Sequence, residues 1–131
     1  MSDRKLACTI LIRNKTVSDG CLVSGTQSMR LEFYDVDFAT QNCSDIRVDV
    51  YSNGYLKTEK DLVETFCDPA ALGDFVCDSN KGFYVAMTSS SNVHSGQIKA
   101  RFSAPAGEFL VLVFRMHAHW LDQRQVFLTW K

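Results

Sequence analysis

Apolar and polar residues alternate with a period of two along most of this chain. Met29, Leu31 and Phe33 alternate with Arg30, Glu32 and Tyr34, and Ile46, Val48 and Val50 alternate with Asp45, Arg47 and Asp49. That is the pattern of half-buried β-strands. Residues 29–54 therefore read as two strands joined by a polar connection, a hairpin in which each strand has one oily face. Two strands alone are marginal in water, so the remaining chain must lay a second layer against them, which predicts a β-sandwich.

The same reading extends in both directions. Leu6, Cys8, Ile10 and Ile12 mark a first strand with at least one buried face, and Ser18, Asp19 and Gly20 offer turn chemistry before Cys21, Leu22 and Val23. Between Phe33 and Phe38 the alternation slips, as a β-bulge at Tyr34 and Asp35 would make it. Asn53-Gly54 predicts a tight turn, because both residues tolerate positive φ. One segment has a helical option: Thr58 can cap a turn with Asp61 three residues on, and Leu62, Val63 and Phe66 fall near helical spacing.

Cys67 and residues 68–73 read as a surface connection to Phe75, Val76 and Cys77, and residues 78–82 as a turn. Residues 83–88, 97–102, 109–114 and 126–130 are the later strands, with a polar loop at 89–96 and a turn at Pro105-Ala106-Gly107. Residues 109–114 are apolar on both faces, as in the middle of a covered sheet. The expectation is an all-β, two-layer antiparallel sandwich of jelly-roll type with about nine or ten strands, in a single domain over residues 1–131.

Composition narrows the picture further. A chain of 131 residues, 46% hydrophobic and 22% charged, can bury a core without a metal or cofactor as its main support. A net charge of -1 gives no broad attraction to phosphate backbones or anionic lipid, so no nucleic-acid partner is expected. No apolar run approaches the roughly 20 residues that span a bilayer, and the mixed first segment is no secretory signal. The chain is then either cytoplasmic or a mature extracellular domain whose leader was removed. Five widely spaced cysteines (Cys8, Cys21, Cys43, Cys67 and Cys77) without a CxxC favour disulfides over zinc, with one thiol left over, and so favour the secreted reading. The triplets at Asn14 and Asn42 are compatible with a glycoprotein.

With the strands placed, the order Cys21, Met29-Arg30-Leu31-Glu32-Phe33, Phe38, Cys43, Val48-Asp49-Val50-Tyr51, Gly54 and Cys67 resembles the CUB domain, an extracellular disulfide-bonded β-sandwich. The likeness runs from Cys21 as far as Phe102, or as Trp130. It implies a Cys43–Cys67 disulfide and a second between Cys8 and Cys21, leaving Cys77 over. Many CUB domains hold calcium through aspartates just after the third cysteine and in the loop between the last two strands. Here Ile46 stands three residues after Cys43, Asp45 is displaced by one, and the late loop offers Ser89, Ser90 and Ser91. A hard cation needs several charged oxygens, so no family-type calcium site and no other cofactor is expected.

Outside that resemblance, His117 and His119 come nearest to a metal motif, since positions i and i+2 of a strand share a face. No third ligand follows at suitable spacing, and two loop histidines is the plainer reading. The same hairpin tip carries Met116, Trp120 and Leu121 beside Arg115 and Arg124, the composition of a binding hot spot. It is a candidate contact surface for a protein partner or another copy of the chain, unless Trp120 folds back into the core. The serines near His94 lack a strained elbow and a positioned acid, so no enzyme is expected. The sequence thus points to a non-catalytic extracellular module of CUB-like type for protein recognition or self-association. Its alternatives are a jelly-roll lectin, with Tyr55 or Trp120 stacking on carbohydrate, and a self-assembling intracellular or viral jelly-roll subunit.

Overall fold

The computed structural model describes residues 5–13, 15–38, 43–90, 96–116 and 125–130. Among these residues ten strands and one short α-helix follow in the order β1 (Lys5–Arg13), β2 (Thr16–Ser24), β3 (Met29–Phe38), β4 (Ile46–Tyr51), β5 (Leu62–Phe66), α1 (Pro69–Gly73), β6 (Val76–Ser79), β7 (Phe83–Ser90), β8 (Gly96–Ser103), β9 (Phe109–Met116) and β10 (Gln125–Trp130). They form two five-stranded antiparallel sheets, one ordered β1-β2-β7-β4-β5 and the other β10-β9-β8-β3-β6. The all-β sandwich expected from period-two patterning is the fold.

The two central strands are not a hairpin. β3 belongs to one sheet and β4 to the other, so Leu31 and Phe33 meet Val48 and Val50 in one shared core cluster. Alternation tells which residues turn inward, but it is silent on which sheet a strand joins. Phe83 on β7 and Phe102 on β8, both fully buried, approach at 6.1 Å between ring centroids across the layers. Phe75 lies against Phe33 of one sheet and Phe66 of the other, at 6.1 and 4.9 Å. Beside it α1 lays the fully buried Leu72 on the core.

Several local expectations need correction. Ser18, Asp19 and Gly20 lie inside β2, where Asp19 is buried and opposes Met87 of β7. The first hairpin instead turns before Thr16, whose hydroxyl donates to the Arg13 carbonyl at 2.9 Å. Gly20 suits a strand here because the Tyr84 side chain lies where its Cβ would be. β1 does not bury a face: Leu6 alone of its residues is not exposed. The helical option over residues 58–66 reduces to one 3-10 turn, Glu59–Asp61, followed by strand β5. The true helix is α1, with the Asp68 side chain accepting from the Ala70 N–H and Pro69 at its first turn.

Asn53-Gly54 is not a positive-φ turn either. Among the described glycines positive φ occurs at Gly82 and Gly107, while Gly54 is needed because a Cβ there would run into the Val23 carbonyl. β7 continues through Ser89 and Ser90, both buried, where a polar loop was expected to start. The bulge is present: the β3–β8 register shifts between Tyr34 and Asp37, and Asp35 adopts φ of 48°. On β9 Leu110, Leu112 and Phe114 enter the core; on the other face Val111 is buried beside Arg101, which spans the Phe109 ring at 4.2 Å, and Phe109 and Val113 are half-buried.

Candidate interaction surface

Cys8 and Cys21 occupy directly opposed positions of β1 and β2 and are joined as a disulfide. A second disulfide links Cys43, before β4, to Cys67, after β5, with Cα atoms 5.1 Å apart. Both bridges act on the first sheet, one at each edge. Cys77, on β6, keeps its thiol; burial, and then the negative charge of Asp78, push its pKa up, which makes it a poor nucleophile.

Among the described residues no group of three or more His, Cys, Asp or Glu side chains converges as a metal site would require. Asp45 is engaged in the fold: the Ser90 hydroxyl donates to its carboxylate at 2.9 Å, and the Ser90 N–H donates to its carbonyl at 2.8 Å. Arg115 donates through Nε and Nη2 to the Gln97 side-chain oxygen, at 3.2 and 2.9 Å, and is half-buried. Met116 ends β9 opposite Gly96. His117, His119, Trp120, Leu121, Arg124, Asn14 and Asn42 lie outside the described residues. No helix among the described residues is long and apolar enough to cross a membrane.

Among the described residues, exposed apolar groups lie in several other places. β1 and β5 are the two edges of the first sheet, and each shows oily side chains to solvent. Ile10, Leu11 and Ile12 on β1 are each more than half exposed, and Leu62 and Val63 on β5 are exposed at 41% and 42%. β1 has apolar residues on both faces of its ladder, so whichever face turns inward, the other stays oily.

No family model, curated protein or solved structure matches this chain.

A third exposed group crowns one end of the sandwich. Tyr55 and Leu56, 59% and 62% exposed, sit in the connection from β4 to β5. The Asn53 side-chain oxygen accepts from the N–H groups of Tyr55 and Leu56, at 2.9 and 3.2 Å, and its amide donates to the Asp61 carboxylate at 3.2 Å. The Thr58 hydroxyl donates to the same carboxylate oxygen. Those bonds, that from Thr58 first, hold the Asp61 carboxyl below the ordinary carboxylate range. The Tyr55 hydroxyl donates to the Gly25 carbonyl at 3.0 Å, so the ring is presented on a pinned loop. Tyr55 is the lectin candidate of the sequence, whereas Leu56 and the exposed aliphatic residues of β1 and β5 are contact candidates that only the structure singles out. The available signal was the doubly apolar run at 10–12.

Proposed function

We propose that this chain is a non-catalytic extracellular module of CUB-like type that recognises protein or associates with itself through sheet edges and loops. One observation carries the reading: an edge strand with three large exposed aliphatic side chains is fastened to the core by a disulfide. Proteins rarely leave such an edge bare, because its unpaired backbone groups and oily side chains template another strand. Disulfides persist in oxidising compartments, which supports the extracellular part. The Cys43–Cys67 bond joins the two cysteines that the CUB resemblance implies.

The test is sedimentation velocity of the oxidised chain at rising concentration, run beside a glycan array. Growth in mass with concentration, or tight binding to a defined protein with the array blank, supports the reading. A monomer that binds one glycan saturably overturns it in favour of the jelly-roll lectin. Intact mass before and after reduction and alkylation checks the compartment: two disulfides and one thiol fit it, and five thiols in the secreted material do not.

A further inference from the structure

We propose that β1 of one copy of this chain pairs edge to edge with β5 of the next, extending the first sheet from molecule to molecule. The proposal rests on the self-association arm of the function given above and names its surface.

β1 and β5 are the outer strands of one sheet, and each has a partner on one side only among the described residues. Four antiparallel pairings separate them, so they run in the same direction. Sliding a second copy along the sheet therefore lays its β5 parallel to β1 of the first, with both cores on the same side. In the sheet's own register Ile10 is level with Phe66 and Ala7 with Leu62, so the second copy is also shifted along the strands by the distance from Ala7 to Ile10; Ile10, Leu11 and Ile12 then come beside Leu62 and Val63, and the exposed apolar surface of both edges is covered together.

Charge selects this pairing over the symmetric ones. Residues 5–16 carry Lys5, Arg13 and Lys15 and no acid, whereas residues 59–68 carry Glu59, Asp61, Glu64 and Asp68 against Lys60. The first segment is net +3 and the second, four acids less one cation, is net -3. Two β1 edges would repel, and so would two β5 edges, while β1 against β5 attracts. A contact between different patches of identical molecules does not close on itself in a dimer; it continues as a ring or an open filament.

Sedimentation velocity on the chain with its disulfides intact tests this with charge reversals at exposed positions. Wild type is expected to form species larger than a dimer, with mass falling as salt rises. The pair Lys5→Glu with Arg13→Glu, and separately the pair Glu59→Lys with Glu64→Lys, each weaken assembly at least tenfold. An equimolar mixture of the two variants recovers it, as does one chain carrying all four changes. The neutral variants Arg13→Gln and Glu64→Gln give a smaller loss in the same direction and stand in for any reversal that fails to fold by circular dichroism. Assembly indifferent to both reversals, or unrecovered on mixing, overturns the edge contact while leaving self-association standing. A wild type that stays monomeric overturns it too, and leaves recognition of a different protein as the surviving arm of the function.

Discussion

Cys8 is exposed and Cys21 is wholly buried, yet they face each other across the β1–β2 ladder and share a disulfide. The bond fastens a strand that buries almost nothing of its own to one that lies in the core. Leu6 is the residue of β1 that packs on the hydrophobic cluster, so side-chain burial adds little to the docking of this strand. Its attachment is the backbone ladder and the covalent link.

Cys8→Ser should therefore loosen one strand more than it loosens the molecule. The closed loop has a sequence separation of 13 residues, for which chain-entropy arguments give about 3 kcal/mol. Hydrogen exchange should show protection lost further on β1 than on β7 and β4, in the middle of the same sheet, whose amides lose only the fall in global stability. Uniform loss of protection over both sheets would mean that β1 is integral to the core.

Two glycines offer a matched pair of opposite sign. A Cβ on Gly54 would run into the carbonyl of Val23, main chain that cannot swing aside, and the Gly54 N–H is itself tied to the Lys81 carbonyl at 2.7 Å. Gly54→Ala should cost about 1–3 kcal/mol, the range for overpacked sites. At Gly73, the last residue of α1, a Cβ meets nothing within 4 Å. Gly73→Ala should be neutral or stabilising by up to about 1 kcal/mol. Thermal melts of the two variants side by side decide it, and equal shifts would contradict the packing described.

Period-two alternation located β3, β4 and β8 because each has one wetter and one dry face, and a bulge was legible as a slip in that rhythm. What it could not tell was membership of a sheet, since β3 and β4 have the same rhythm whether they pair side by side or face each other. Asp19 and Gly20 misled because turn-forming residues were read by type, while their place in β2 depends on Tyr84, distant in sequence. Residues 62–66 looked helical by spacing, but strand pairing with β4 decided their state. The opposite charges of residues 5–16 and 59–68 were visible in the letters. They acquired meaning only when topology placed the two segments at opposite edges of one sheet.

The short helix is a plug as well as a connection. Leu72 is fully buried on α1, between the edge strand β5 and the facing strand β3, and Phe75 just beyond it touches rings of both sheets. Leu72→Ala should lower stability by about 2–5 kcal/mol in urea unfolding. Leu56→Ser, at a site 62% exposed, should leave the midpoint within about 0.5 kcal/mol of wild type. A large loss at Leu56 would place that side chain in the core, and a silent Leu72 would make α1 dispensable to the fold.

Stability should fall away on both sides of neutrality, for different groups on each limb. Burial pushes the Tyr51 and Tyr84 phenols above their ordinary value, with Asp49 adding to the shift of both and Glu59 to that of Tyr51. At neutral pH these phenols are protonated in folded and unfolded chains alike, and their contribution is fully present. As pH rises through the ordinary tyrosine value of 10.0 the unfolded chain releases its protons first, so stability declines from there upward. On the acid side Asp61, bonded to Thr58 and Asn53, and Asp78, bonded to Arg30, titrate below their ordinary value of 3.8. Their contribution is present above that value and is lost as pH falls through it toward the lower folded one. Urea midpoints measured from pH 3 to pH 11 should trace a dome; Tyr51→Phe and Tyr84→Phe should flatten the alkaline limb, and Asp61→Asn part of the acid limb. An alkaline limb unchanged by both phenylalanines would show that the two phenols titrate no differently in the folded chain than in the unfolded one.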